Sequence, residues 1–236
     1  MKSNLIFFLA RFGKGGAGNS VFKLCNSLNK KKYRIFVICM NYCAYKKELL
    51  KAGIKVEVIN ASRAIFAIFY LKKIIAKIIE NKYQNYLISN INYTNLLCSI
   101  FIKKKNLKLI AIERTPLKEL EIYFGFVDKI KKLIIKSLIP YFYKKFDLVI
   151  CNSGYLGKYL KKKYNIDSKP LFPPSIKEQK ILKKIKIPKY KKSIKIITVC
   201  RLSREKNIYE IIQTISKIRK EIIFFIVGDG PEKKKL

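Results

Sequence analysis

Short runs of apolar, often β-branched residues alternate along this chain with longer lysine-rich segments whose apolar residues recur at helical spacing. Strands of a parallel sheet are buried on both faces, and a helix buries one stripe, so this alternation predicts a sheet covered by helices. Half of the 236 residues are hydrophobic and 13% are aromatic, which is enough apolar material for a sizeable core. The fold class that follows is α/β, with one complete Rossmann-like, doubly wound parallel sheet.

Six strands and six helices are predicted before residue 165. The predicted strands are Leu5–Leu9, Arg34–Met40, Lys55–Ile59, Tyr86–Ser89, Lys108–Ile112 and Leu148–Cys151. The predicted helices are Ser20–Leu28, Tyr45–Ala52, Ile65–Glu80, Tyr93–Lys103, much of Leu117–Tyr143 with a break at Pro140, and Tyr155–Tyr164. Ser153 is placed to cap the last helix, because a serine hydroxyl accepts a hydrogen bond from an amide of the first turn.

The pattern changes after Tyr164, since the stretch from Lys169 to Lys192 lacks a clear apolar face and reads as a linker. We therefore expect an N-terminal domain at residues 1–174, a linker at 175–193 and the beginning of a second Rossmann-like domain at 194–236. This last part is predicted to hold a strand at Ile194–Val199, a helix at Asn207–Ile218 and a strand at Ile222–Val227. A single β-α-β unit of about 45 residues cannot cover both faces of its strands, so the second domain is expected to be incomplete.

The charge balance is strongly basic. Lys and Arg number 52 against 15 Asp and Glu, a net charge of +37, and with only 7 Arg the remaining 45 are Lys. Three explanations stay open: an AT-rich genome, which also accounts for 39 Ile, adhesion to an anionic membrane surface, and nucleic-acid binding. Arg, whose planar fork reads phosphates and guanine edges, is scarce and the lysines are spread evenly, so nucleic acid is the least favoured partner.

No metal site is predicted, because the chain has no histidine and its six cysteines form no C-x-x-C pair. Five cysteines sit among apolar residues and read as core residues of a protein in a reducing cytosol.

The apolar run Leu5–Ala10 ends at Arg11 without a small-residue cleavage site, and Tyr83–Ile102 holds too many Asn and Ser residues to span a membrane. We therefore expect a cytoplasmic protein, with peripheral attachment to the inner face of the plasma membrane left open.

A glycine-rich loop, Gly13-Lys14-Gly15-Gly16-Ala17-Gly18, follows the first predicted strand and precedes a helix. Backbone amides at such a helix start can face an anion. The residues leave four readings open: a dinucleotide fingerprint, although no acid ends the second strand; a P-loop-like ATPase segment at Lys14–Ser20, although Asn19 occupies the lysine position; a tight structural turn; and a sugar-nucleotide site.

Two motifs near the carboxyl terminus favour the last reading. The first is Val199-Cys200-Arg201-Leu202-Ser203-Arg204-Glu205-Lys206-Asn207, and the second is Val227-Gly228-Asp229-Gly230-Pro231. Arg201 and Lys206 lie between the end of a predicted strand and the start of a predicted helix. Such a pair of cations is suited to bind a pyrophosphate. Both motifs resemble those of the C-terminal domain of family 4 glycosyltransferases, GT-B enzymes with segments like G-R-L-x-x-E-K-N and V-G-D-G-P. The glycine loop resembles the family's first loop, and Leu148–Ser153 resembles its late strand ending in Asn-Ser.

The resemblance implies a GT-B-like fold and a retaining transfer of a hexose from a nucleoside diphosphate sugar to an envelope glycan, such as lipopolysaccharide, or to a lipid-linked acceptor. It implies no cofactor and no essential metal. Arg201 and Lys206 would hold the donor diphosphate, and Gly15 and Gly16 would face it across the cleft.

Arg114, with Glu113 beside it, ends the fifth predicted strand, where family members carry a basic residue, and is expected to contact donor or acceptor. The segment Leu117–Lys145 interleaves apolar residues with lysines and is expected either to pack in the core or to lie on a membrane.

The family's pair of glutamates separated by seven residues is expected beyond Pro231 and does not occur before Leu236. We therefore assign no catalytic residue, and expect a C-terminally truncated enzyme that is inactive alone. Two other classes stay open: an ATPase module built on Lys14–Ser20 and a non-enzymatic, basic membrane-surface protein.

Overall fold

The structure is a computed structural model that describes residues 2–61, 64–103, 105–115, 117–121, 123, 125–173 and 193–236. The chain divides into two compact units, Met1–Lys177 and Glu178–Leu236, and each is described by itself. Most of the predicted linker, residues 175–193, lies outside the described residues, so the proposed domain boundaries stay a prediction.

The first unit is built on a seven-stranded parallel sheet, which confirms the predicted fold class. Its strands are β1 (Ser3–Phe12), β2 (Tyr33–Cys43), β3 (Lys55–Val58), β4 (Gln84–Asn90), β5 (Leu107–Glu113), β6 (Leu148–Cys151) and β7 (Lys169–Pro170). Their order across the sheet is β3-β2-β1-β4-β5-β6-β7, and every neighbouring pair is parallel. The six predicted strands are all present, and their ends lie within three residues of the predicted ones.

Six α-helices connect these strands. They are α1 (Gly16–Ser27), α2 (Lys46–Lys51), α3 (Ala64–Ile78), α4 (Asn92–Phe101), α5 (Phe126–Phe142) and α6 (Gly154–Tyr164). The predicted cap of α6 is confirmed, because the Ser153 hydroxyl accepts a hydrogen bond from the amide of Leu156 at 3.2 Å.

Three predictions in this unit were wrong in detail. Helix α1 begins at Gly16 and not at Ser20, because the glycines that read as loop form its first turn. Pro140 does not break a helix: it lies in the last turn of α5, while a separate 3-10 turn, Leu117–Glu121, precedes that helix. Lys169–Pro170 read as linker but forms β7, a two-residue edge strand in which a proline is tolerated.

The sheet is buried on both faces. Residues of β1 alternate between them, so that Ile6 and Phe8 belong to one apolar core, and Phe7 and Leu9 to the other. The first core includes residues of α3 to α6, and the second includes residues of α1 and α2. This double burial explains why β1 and β2 read as nearly continuous apolar runs.

The second unit is a β-α-β arrangement of β8 (Ile194–Val199), α7 (Ile208–Ser216) and β9 (Ile222–Val227), with β8 and β9 paired in parallel. Among the residues described in this unit, only Leu202, Ser203 and Ile208 are buried. Ile197 and Val199 of β8 are 65% and 72% exposed. This agrees with the expectation that a single β-α-β unit does not enclose a core.

No helix that the structure describes combines the length and the apolar character needed to cross a membrane.

Gly18 is predicted to be required for packing α1 against the end of β1. A Cβ at Gly18 would lie 1.9 Å from the Gly13 carbonyl oxygen, whereas a Cβ at Gly16 meets no atom within 4 Å. Both substitutions to alanine add the same helix propensity, so their difference isolates the steric clash. We expect Gly18→Ala to lower the free energy of unfolding by about 1–3 kcal/mol relative to Gly16→Ala, measured by urea denaturation followed by circular dichroism. Equal urea midpoints would contradict the close approach.

Candidate functional site

The order of the strands predicts where a ligand would bind on the first unit. Strands β1 and β4 are neighbours, but β1 leads on to β2 on one side of the sheet, and β4 leads on to β5 on the other. In open α/β sheets, ligands bind outside the carboxyl ends of the strands at such a reversal. The glycine loop follows the carboxyl end of β1, and Asn90 ends β4, the strand paired with β1.

The glycine loop is short and leaves room for a ligand. Gly15 is the N-cap of α1 with an extended backbone (φ −71°, ψ 174°), and a Cβ at Gly15 or Gly16 would meet no atom within 4 Å. The first amides of an α-helix have no intrahelical partner, and this end of the helix is positive. Residues 16–19, the first turn, contain no acidic side chain. Gly15 and Gly16 are therefore suited to contact an anion.

The P-loop reading gains no support from this geometry. Only Gly13–Gly15 separate β1 from α1, whereas a P-loop cradles phosphate within a longer segment that ends in Lys and Ser or Thr. Asn19 already lies in the first turn, and the Ser20 hydroxyl donates to the carbonyl of Gly16 at 2.8 Å.

A buried polar cluster, which the sequence analysis missed, lies at the carboxyl ends of β4 and β5. Nδ2 of Asn95 donates to Oε1 of Glu113 at 2.8 Å, the Tyr143 hydroxyl donates to the same oxygen, and the Ser89 hydroxyl donates to Oδ1 of Asn95 at 2.6 Å. Glu113 and Asn95 are fully buried. Burial, followed by the negative charge of Glu113, raises the pKa of Tyr143 well above its usual value, so this phenol stays a proton donor.

The cluster bears on the expectation that Glu113 contacts a ligand. Its carboxylate is fully buried and binds Tyr143 and Asn95, so a direct contact with a ligand stays a prediction. The signal that could have identified the cluster is the Asn-rich segment from Asn90 to Asn95, which served only to exclude a transmembrane helix. Polar residues at the end of a buried strand and the start of a buried helix need hydrogen-bond partners, which brings several polar side chains together.

Arg114 lies at the carboxyl edge, next to this cluster. Its Nη2 donates to Oδ1 of Asn90 at 3.3 Å, and its carbonyl accepts from Nδ2 of Asn152 at 2.6 Å. Burial lowers the pKa of Arg114, although an arginine stays charged at neutral pH. Within the part of the chain that the structure describes, Nε of Arg114 and Nδ2 of Asn90 are buried and have no hydrogen-bond partner. Two buried donors at this edge therefore lack an acceptor within the described residues.

The backbone beside Asn90 is unusual. Ile91 has a φ of 76°, a region that β-branched residues rarely adopt, and its amide donates to the carbonyl of Ile112 at 3.0 Å. Such strain costs about 1–3 kcal/mol and is characteristic of functional sites. Ile91 is the N-cap of α4, so the strained turn orients the helix that carries Asn95.

The two carboxyl-terminal motifs meet along the backbone of the second unit. The amide of Cys200 donates to the carbonyl of Val227 at 3.1 Å, and the amide of Leu202 donates to that of Asp229 at 2.9 Å. A Cβ at Gly228 would lie 1.8 Å from the Cys200 carbonyl oxygen, and one at Gly230 would lie 2.1 Å from that of Leu202. The two glycines are therefore required because the loops after β8 and β9 touch backbone to backbone.

This contact supports the loop after β8, which carries both predicted cations. A 3-10 turn, Arg204–Lys206, follows β8, and the amide of Lys206 donates to the carbonyl of Ser203 at 2.8 Å. Arg201 and Lys206 both have exposed side chains at the carboxyl end of β8. Arg201 and Lys206 lie in one unit and Gly15 and Gly16 in the other, so their opposition across a cleft stays a prediction.

Comparison with models of protein families identifies the family of this chain. Residues 14–172 match the model described as Glycosyltransferase Family 4. The chain belongs to this family. The match confirms the resemblance drawn from the sequence and covers the glycine loop from Lys14 onward, the buried polar cluster and Arg114. The motifs that first indicated the family, between Arg201 and Pro231, lie outside the matched residues. Comparison with curated protein sequences gives no match.

Solved structures share the fold of this family 4 chain at low sequence identity. HepE of Anabaena, in complex with UDP and glucose, has a TM-score of 0.64 and 14% identity over 99% of this chain. Sucrose-phosphate synthase of Thermosynechococcus elongatus has a TM-score of 0.63 and 11% identity over 96% of this chain. The lipopolysaccharide outer core galactosyltransferase WaaB has a TM-score of 0.59 and 17% identity over 99% of it. This chain spans only 62–63% of the length of these three structures.

The Tyr143 hydroxyl is predicted to stabilise the first unit through Glu113. Tyr143→Phe removes one of the donors to a buried carboxylate, so we expect a loss of about 1–3 kcal/mol in the free energy of unfolding. Tyr141→Phe is the matched control, because Tyr141 is an exposed side chain of α5, and it should change stability by less than about 0.5 kcal/mol. Chemical denaturation measures both. A Tyr143→Phe variant as stable as the control would show that the hydroxyl contributes nothing.

Proposed function

We propose that this family 4 chain takes part in the transfer of a hexose from a nucleoside diphosphate sugar to an envelope glycan or lipid-linked acceptor, with retention of anomeric configuration. Membership of the family supports sugar transfer. The solved structures of similar fold include HepE with UDP and with UDP-glucose, which supports a nucleotide-sugar donor. WaaB, a lipopolysaccharide galactosyltransferase, supports an acceptor in the cell envelope.

One observation carries the proposal furthest: the backbone contact between the loops after β8 and β9, which leaves Arg201 and Lys206 exposed at a strand end. During transfer, the bond between the anomeric carbon and the diphosphate oxygen breaks, and the acceptor oxygen bonds to that carbon. The acceptor hydroxyl releases its proton to water, and the departing diphosphate carries one more negative charge. Two fixed cations stabilise that charge more than the charge of the intact donor, which is what accelerates a reaction.

The first unit carries groups suited to phosphate and to the acceptor. The amides of Gly15 and Gly16, at the positive end of α1, are suited to the same diphosphate. Arg114, which Asn90 holds through a hydrogen bond, is suited to hydroxyl or phosphate oxygens of the acceptor or donor. The proposed reaction takes place on the cytoplasmic side of the membrane.

Binding of UDP tests the diphosphate site directly. We expect Arg201→Ala/Lys206→Ala to weaken UDP binding by at least about tenfold, because each charged hydrogen bond to a phosphate contributes about 1.5–3 kcal/mol. Isothermal titration calorimetry on the full chain gives the dissociation constants.

Arg219→Ala/Lys220→Ala is the matched control for that experiment. It removes the same charge from exposed positions of the same unit, but these residues precede β9 and so lie at the opposite end of the strands. UDP affinity of the control should stay within about twofold of the wild type, since only long-range attraction is lost. If both variants weaken binding equally, general charge and not a built site accounts for the affinity.

Metal removal tests a second part of the proposal. If protein cations alone balance the diphosphate, the UDP dissociation constant should change by less than about threefold between buffer with EDTA and buffer with Mg²⁺. Calorimetric titrations in the two buffers measure this. A large loss of affinity in EDTA would show that the diphosphate is held through a metal.

A further inference from the structure

Helix α5 has two apolar faces, and only one of them is used in the core. The inner face carries Ile135 and Ile139, which are buried, together with Leu138 and Phe142, which pack against the same core. A surface helix ordinarily turns its polar residues outward once such an inner face is formed.

The outward face of α5 is apolar instead. It is formed by Phe126, Val127, Ile130, Leu133, Ile134 and Tyr141, all of them exposed, with Phe126 and Val127 at 77% and 80%. Most of these positions recur at intervals of three and four residues, so they form one stripe opposite the buried face. Single exposed apolar residues are common, but a continuous stripe of large ones marks an interaction surface.

Lysines border this stripe on both sides. Lys129 lies along one flank and Lys131 along the other, while Lys136, seven residues after Lys129, forms an ion pair with Glu121 (Nζ to Oε1, 3.0 Å). Nζ of Lys129 is 6.0 Å from the ring centre of Tyr123, and Nζ of Lys131 is 5.3 Å from that of Tyr93. The ammonium groups of Lys129 and Lys131 thus lie near aromatic rings, and basic residues beside an apolar face are typical of a helix at a lipid headgroup boundary.

A second helix of the same layer repeats the pattern. Helix α4 contacts both α3 and α5, and residues of all three belong to one core. On α3, Phe66, Phe69 and Tyr70 are exposed, and the exposed Lys73 and Lys77 follow along the helix. Aromatic and lysine residues side by side are typical of surfaces that meet the interface of a bilayer.

We propose that the outward faces of α5 and α3 dock this protein onto an anionic phospholipid bilayer. The apolar stripe enters the boundary between headgroups and acyl chains, and the flanking lysines meet anionic headgroups. A second copy of the chain fits this surface less well, because its own lysines and net charge of +37 would repel it, whereas an anionic bilayer attracts them. The proposal does not depend on sugar transfer.

Sedimentation with lipid vesicles tests the apolar part. The wild-type chain should bind vesicles of phosphatidylcholine and phosphatidylglycerol in equal parts, and bind phosphatidylcholine vesicles at least about tenfold more weakly. Ile134→Gln should lower the partition coefficient several-fold, and Ile130→Gln/Ile134→Gln should lower it by at least about tenfold. Leu50→Gln is the matched control, because Leu50 is 49% exposed, close to the 54% of Ile134, but belongs to α2 on the other face of the sheet; its binding should match that of the wild type.

Charge reversals test the lysine flanks. Lys129→Glu/Lys131→Glu on α5 should weaken binding to the anionic vesicles far more than Lys47→Glu/Lys51→Glu, an identical change of net charge on exposed positions of α2. Circular dichroism confirms that each variant is folded.

Three results would overturn the proposal. They are no binding of the wild type to anionic vesicles, equal losses in the α5 variants and their α2 controls, and a wild-type dimer in analytical ultracentrifugation that the α5 substitutions convert to monomer. The last result would assign the surface to a second copy of the chain.

Discussion

Close backbone approach at the carboxyl ends of parallel strands is the constraint on which both units of this protein depend. Gly18 brings α1 against the carbonyl of Gly13, and Gly228 and Gly230 bring the loop after β9 against the loop after β8. At each place a Cβ would occupy the space of a carbonyl oxygen. The contacts fix the turns that present amides in one unit and cations in the other, so the same glycines that allow the fold also place the candidate site.

The first unit combines this backbone packing with a buried polar cluster. A carboxylate such as that of Glu113 is costly to bury, and it is tolerated because Tyr143 and Asn95 donate to it. The cluster lies directly behind Arg114, whose carbonyl is tied to Asn152. Rigid support of this kind keeps a functional side chain in place without requiring the supporting residues to touch a ligand.

The positions of the lysines in the fold say more about their role than their number does. Evenly spread lysines carry little information by themselves, but on α5 they border a stripe of exposed apolar residues. One face of α5 packs in the core, and the other face is exposed and is proposed to contact a bilayer. An acceptor attached to lipid would be reached most readily by a protein held at the same surface, which is consistent with the proposed function without being required by it.

Periodicity and turn chemistry in the sequence determined the alternation of strands and helices, the parallel sheet, the Ser153 cap and the two motifs that indicate the family, because these depend on residues close together in the chain. The tertiary structure alone decided the seventh strand, the continuation of α5 through Pro140 and the cluster around Glu113. The strand and the cluster depend on partners far away in sequence: β7 forms because β6 offers an edge, and Glu113 is buried because Tyr143, thirty residues later, reaches its carboxylate. Local patterns specify elements, whereas burial and hydrogen-bond satisfaction are properties of the assembled fold.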